Sequence, residues 1–289
     1  MMEHLDHFGP LAARYDGFIL DLWGVIHDGV TAFPHAVDCL HRLRAAGKRT
    51  LLLTNAPRPS APLRQAMRGM GIADDLYTGM LTSGEAVRDA LSDPPDRWWA
   101  TLGQRVFHLG PERDRGVFEG LAYTQVATPA EADFVLNTGP DDLRDPTDLD
   151  AFEAELRDCL RHRLPMVCAN PDLEVIRGGR LILCAGALAL HYQALGGDMR
   201  MLGKPDAAIY DLVLQRLGVP VGRVLAVGDA LRTDIAGAAG VAIDACWVLD
   251  GIHANTLDNG AGGFDLRRAE AEAAEAGLSP VATLPRFVW

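Results

Sequence analysis

The stretch Phe18-Ile19-Leu20-Asp21-Leu22-Trp23-Gly24-Val25 constrains the fold more than any other part of the chain. An apolar run ends in a single acid, and a glycine follows three residues later. The run from Gly17 to Leu20 reads as a buried strand, and Asp21 as the residue at which it emerges. In an open parallel sheet the carboxyl ends of the strands form the ligand edge, so an acid at that point is placed to do chemistry. By itself it could equally start a turn. Three later stretches of the same form favour the chemical reading.

Taken in order, the chain alternates. His35 to Ala46 reads as a helix with Val37, Leu40 and Leu43 on one face and Gly47 as its stop. Lys48 to Leu53 is a second strand, ending in Thr54-Asn55-Ala56-Pro57, and Leu63 to Met70 a second helix. The order βαβα implies a right-handed parallel sheet. After Leu81 the pattern changes. Helices are expected at 85–91, 149–163 and 187–195, and strands at 105–109, 133–136 and 166–168. Two short strands flanking Gly178-Gly179 read as a hairpin. The first pattern then returns. Gly203-Lys204-Pro205-Asp206 opens a helix reaching Leu217, and Arg223 to Val227 is a strand ending in Gly228-Asp229, with Asp234 at the start of the next helix. The expected fold is therefore α/β: a doubly wound, parallel-sheet, Rossmann-like core from 1–81 and 198–289, with an inserted α/β domain at 82–197. Phe287-Val288-Trp289 is expected to pack back onto the core.

A length of 289 residues suggests two domains. The net charge of −12, with no basic stretch to offset it, argues against nucleic acid or a membrane surface as partner. The first residues have neither the basic nor the apolar region of a signal peptide, and no apolar run reaches the roughly 18 residues of a membrane span. Five scattered cysteines, never spaced C-x-x-C, read as reduced, buried thiols of a cytoplasmic protein.

If the sheet is parallel, Asp21, Thr54 and Asp229 reach the same edge, and Lys204 and Asp234 belong with them. Carboxylates and waters suit Mg²⁺, a hard ion that takes oxygen ligands. A hydroxyl, an ammonium and backbone N–H groups suit a phosphoryl group, and a carboxylate can attack its phosphorus to give an acyl-phosphate. At this point Asp21-Leu22-Trp23-Gly24-Val25, Leu53-Thr54-Asn55, Gly203-Lys204-Pro205 and Gly228-Asp229-Ala230-Leu231-Arg232-Thr233-Asp234 resemble, in order, the four motifs of the haloacid dehalogenase superfamily. The insertion between the second and third motifs, with Asn170-Pro171-Asp172 and Gly186-Ala187-Leu188, resembles the class IIA, NagD-like branch and its cap.

The resemblance implies a Mg²⁺-dependent phosphatase of a small phosphorylated metabolite. Asp21 would be nucleophile and metal ligand, joined on the metal by the backbone carbonyl of Trp23, by Asp229 and by Asp234. Thr54, with help from Asn55, would bind the phosphate. Lys204 would pair with both nucleophile and phosphate, and Asn170 and Asp172 would reach the substrate from the cap. Caps of this type often pair, which implies a possible homodimer. Asn170-Pro171-Asp172 also reads as a plain turn, Trp98-Trp99 as an anchor or a stacking surface, and Arg58 and Arg64 as a solvated face or an aid to anion binding.

One position departs from the family. Its phosphatases carry an aspartate two residues after the nucleophile, which protonates the leaving group and then activates water. Here that residue is Trp23, which does neither. Three readings stay open: a hydrolase with a substitute acid/base such as His27 or Asp28; a dehalogenase, against which the retained acids Asp229 and Asp234 speak; and a degenerate member that binds a phosphorylated ligand without cleaving it.

Overall fold

The structure, a computed structural model, describes residues 2–177 and 180–289. The expected turn at Gly178-Gly179 lies outside the described residues, although the strands Glu174–Arg177 and Arg180–Leu183 on either side do pair antiparallel. The chain divides into two compact units, one of Met1–Thr54, Arg64–Leu81 and Lys204–Trp289, the other of Asn55–Leu63 and Thr82–Gly203.

The first unit holds a seven-stranded sheet. From one edge to the other its strands are Glu3–His4, Ala282–Leu284, Asp244–Val248, Val224–Gly228, Gly17–Leu20, Arg49–Thr54 and Gly79–Thr82. The chain runs outward in one direction from Gly17–Leu20 and in the other from Val224–Gly228. Those two adjacent strands therefore form the topological switch point at which open α/β sheets bind ligands. Both strands are buried along their whole length, which explains why they read as unbroken apolar runs and not as alternating ones. The tail returns as expected, with the Phe287 ring 4.8 Å from that of Phe8.

The second unit holds a five-stranded parallel sheet in the order Met199–Met201, Met166–Cys168, Phe134–Asn137, Arg105–Leu109 and Thr124–Val126. Its strands alternate between two cores. Val135, Met166 and Cys168 pack with Phe152, Leu156 and Tyr192 of the helices Asp150–Arg161 and Ala185–Ala194. Phe134, Leu136 and Val167 pack with Val87 and Leu91 of the helix Ser83–Ser92. The expected boundary at 197 differs from this division. Met199–Met201 lies in register beside Met166–Cys168, which carries the second unit on to Gly203, and the short segment Asn55–Leu63 groups with it. All five cysteines are buried. Among the described residues, no helix is long and apolar enough to cross a membrane.

Candidate active site

The sheet register assembles the site. Leu20 pairs with Val227 on one side and with Leu52 on the other. One step further along, Asp21 emerges beside Gly228-Asp229 and next to the end of the strand that Thr54 closes. The Asp21 N–H donates to the Val227 carbonyl at 2.9 Å, which holds the acid at the strand end. Asp234 follows on a π-helical turn, Leu231–Ile235, a form of turn that recurs at functional sites. The buried Tyr210 hydroxyl donates to the Asp234 carbonyl at 3.1 Å and fixes that turn from below.

Asp21, Asp229 and Asp234 each offer a carboxylate oxygen, and the three oxygens lie within 4.8 Å of one another, all buried. Lys204 bridges two of these acids. Its Nζ donates to Asp21 Oδ1 and, at 2.7 Å, to Asp234 Oδ1. Asp229 is held separately, its Oδ2 accepting the Ile252 N–H at 2.8 Å. The backbone comes close around it: a Cβ on Gly24, whose φ is +74°, would stand 2.3 Å from Asp229 Oδ2. Only glycine takes that conformation at that distance without strain.

Burial, and then the charges of Asp21 and Asp234, push the Asp229 carboxyl well above the usual carboxylate range. Burial raises Asp234 to about 6, against the opposing pull of Lys204. Three buried carboxylates beside the Lys204 ammonium fit a divalent cation, and an all-oxygen donor set fits Mg²⁺.

Two family models match the chain, one described as haloacid dehalogenase-like hydrolase over residues 18–124 and a HAD-hydrolase-like one over residues 201–265. Bovine (Bos taurus) chronophin is 30% identical over 238 residues, covering 78% of each chain. The chain belongs to the haloacid dehalogenase-like hydrolases. Glycerol-3-phosphate phosphatase of Rattus norvegicus is 27% identical over 257 residues, covering 78% of this chain and 76% of that one. Among solved structures, a haloacid dehalogenase-like hydrolase from Brucella suis 1330 is 34% identical with a TM-score of 0.82, covering 98% of this chain and all of that one. NagD from E. coli K-12, at 22% identity and a TM-score of 0.66 over 95% of this chain and 97% of that one, shares the fold.

The loop after Asp21 packs around Trp23. Trp23 is half-buried, and its indole lies against Gly29, where a Cβ would stand 2.0 Å from the ring. It meets the His27 ring edge-on, with centroids 5.7 Å apart. His27 is 1% exposed. Its Nδ1 accepts the Gly29 N–H at 3.0 Å, which assigns the ring proton to Nε2, and Nε2 has no hydrogen-bond partner among the described residues. Burial lowers the His27 pKa to about 4. A neutral imidazole whose acceptor nitrogen is already engaged is a poor proton shuttle near pH 7, so the structure argues against His27 as the substitute acid/base. Asp28 is exposed, and its carboxylate accepts the Val30 and Thr31 N–H groups as a turn former does.

Asn55, Asn170 and Asp172 meet in the second unit. Asn55 Nδ2 donates to Asp172 Oδ1 at 2.8 Å, and the Asp172 N–H donates to Asn170 Oδ1 at 2.9 Å. Asn55, expected beside Thr54 at the phosphate, has its amide engaged with Asp172. Arg58 faces the buried Asp114 at 3.2 Å, and the Arg64 guanidinium lies over the Tyr77 ring. Trp98-Trp99 anchors its own element: Trp99 is buried, and Trp98 Nε1 donates to Asp198 at 2.7 Å. Sequence reading missed Tyr210 and the Ile252 N–H. A tyrosine inside an amphipathic helix and a backbone group carry no signal of their own.

Proposed function

We propose that the protein is a Mg²⁺-dependent phosphatase that hydrolyses a small phosphate monoester through an aspartyl-phosphate on Asp21. The observation that carries this reading is the buried set Asp21, Asp229 and Asp234, with Lys204 bridging Asp21 and Asp234. Its relatives include one named for phosphatase activity on glycerol 3-phosphate.

The side chains divide the work. An Asp21 oxygen attacks phosphorus, the bond from phosphorus to the ester oxygen breaks, and the alcohol leaves. Water then attacks the acyl-phosphate, releasing inorganic phosphate and restoring the carboxylate. The Thr54 hydroxyl and the Lys204 ammonium hold the phosphoryl oxygens. Asp21, Asp229, Asp234 and the Trp23 carbonyl would hold Mg²⁺, which neutralises phosphate charge when bound. Asn170 and Asp172 belong to the second unit, which we read as the cap. Trp23 supplies no proton, so the leaving group must draw its proton from solvent. General acid–base catalysis contributes about 10²–10⁴-fold, and slow turnover that favours good leaving groups is the expected signature.

A second reading, a member that binds phosphate esters without cleaving them, is favoured by one observation: neither Trp23 nor the neutral, buried His27 offers a proton shuttle. Phosphate release with Mg²⁺ separates the two. The panel is nucleotides, sugar phosphates, glycerol 3-phosphate and p-nitrophenyl phosphate, with Asp21→Asn as control. Turnover that vanishes in the control establishes the phosphatase. Turnover no greater than the control's leaves the binding protein.

A further inference from the structure

The chain passes between its two units at Thr54–Asn55, Leu63–Arg64, Leu81–Thr82 and Gly203–Lys204. Two of these crossings abut residues that the proposed reaction uses. Asn55 follows Thr54, and Gly203 precedes Lys204. Within the second unit these two flanking residues meet. Asn55 Nδ2 donates to Asp172 Oδ1 at 2.8 Å, and Ser83 Oγ donates to Asn55 Oδ1 at 3.0 Å. An ionised carboxylate only accepts, so the amide must turn its NH₂ to Asp172 and its oxygen to Ser83.

Gly203 closes on the same group. A Cβ there would stand 2.1 Å from Ser83 Oγ, 2.6 Å from Asn55 Oδ1 and 2.6 Å from Pro171 Cδ. The loop 170–172 is braced in turn, with the Asp172 carbonyl accepting the Gly186 N–H at 3.1 Å. Asn55 and Ser83 are both buried. Buried polar networks of this kind specify one arrangement of the groups that they join.

We propose that Asn55, with Ser83 and Gly203, is a positioning residue. It ties the loop 170–172 to the two backbone points next to Thr54 and Lys204, so the placement of that hydroxyl and that ammonium on the phosphoryl group depends on the loop. The proposal rests on the phosphatase reading above, and it gives the Asn55 side chain a role other than that of a phosphate ligand.

Three variants test it. Asn55→Asp sets a second carboxylate against Asp172. Asp172→Asn keeps a hydrogen bond and removes the charge. The double variant Asn55→Asp/Asp172→Asn restores the pair with donor and acceptor exchanged, while Ser83 still donates to position 55. The readouts are kcat and KM for p-nitrophenyl phosphate with Mg²⁺, and calorimetric binding of inorganic phosphate with Mg²⁺. Misplacement by about 1 Å can cost roughly 100-fold, so Asn55→Asp is expected to lower kcat and phosphate affinity roughly 10- to 100-fold. Asp172→Asn should do far less, and the double variant should recover most of the loss. A double variant no better than Asn55→Asp, or an Asn55→Asp variant that loses melting temperature with kcat and phosphate affinity unchanged, overturns the proposal. Should Asn55→Asp fail to fold, Ser83→Ala, which removes only the bond to Oδ1, carries the test, and an unchanged kcat and phosphate affinity there overturns it. Wild-type protein that shows the phosphate-binding pattern without Asp21-dependent turnover sinks the hydrolytic reading alone. Turnover untouched by Asn55→Asp sinks the positioning alone.

Discussion

Lys204 Nζ lies 2.7 Å from Asp234 Oδ1, both side chains buried, and the same ammonium also donates to Asp21. One cation thus balances two of the three acids. Removing one partner of a buried ion pair costs about 3–5 kcal/mol because it strands the other. Lys204→Met should therefore lower the unfolding free energy in urea by about 3 kcal/mol without Mg²⁺, and by less when Mg²⁺ is present to take up the stranded charge. Equal losses with and without Mg²⁺ would show that the acids do not share a metal.

Asp229 should behave in the opposite sense. Its carboxyl is raised by burial and by Asp21 and Asp234, so near neutral pH its charge opposes folding when no metal is bound. Asp229→Asn should raise the melting temperature of the metal-free protein while weakening Mg²⁺ binding about tenfold or more, through the loss of a ligand charge. Thermal melts and calorimetry with and without Mg²⁺ check both signs. An unchanged Mg²⁺ affinity would remove Asp229 from the metal site.

His27 predicts a pH dependence. Its folded pKa is lowered by burial from 6.5 to about 4. The unfolded chain therefore takes up a proton first as the pH falls, and the stability present above pH 6.5 is lost toward pH 4. Across that window the loss from this group is about 3 kcal/mol. His27→Asn keeps an acceptor for the Gly29 N–H and removes the titration. Urea unfolding at pH 7 and at pH 4.5 should show a smaller drop for the variant than for wild type, and equal drops would show that His27 is not buried neutral.

Trp23→Asp restores a side chain able to carry a proton. The expected gain is about 10²–10⁴-fold on esters with poor alkoxide leaving groups, and much less on p-nitrophenyl phosphate, whose leaving group needs no acid. Equal gains on both esters would show that proton transfer is not what the chain lacks.

The apolar runs that end in a polar residue were legible without any structure. The strands Gly17–Leu20 and Val224–Gly228 are buried on both faces, so their sequences are continuous and their ends sharp. Five strands were not legible: Glu3–His4, Gly79–Thr82, Thr124–Val126, Met199–Met201 and Ala282–Leu284. Each is four residues or fewer, too short to show a period, and most lie at or near a sheet edge. Missing Met199–Met201 is also why the inserted segment was expected to end at 197 and not at Gly203.

The sequence by itself determined the inventory at the switch point. In a parallel sheet the residue just past a buried strand emerges at the ligand edge, so Asp21, Thr54 and Asp229 were placed by local pattern alone. Tertiary structure decided how those groups are used. Long-range packing chose Lys204 as the bridge between Asp21 and Asp234, brought Ile252 against Asp229, sealed His27 away as a neutral ring, and turned the Asn55 amide toward Asp172 and Ser83. These contacts join residues that are distant in the chain, or depend on burial. Neither the partner of a buried polar group nor its protonation is written in its near neighbours.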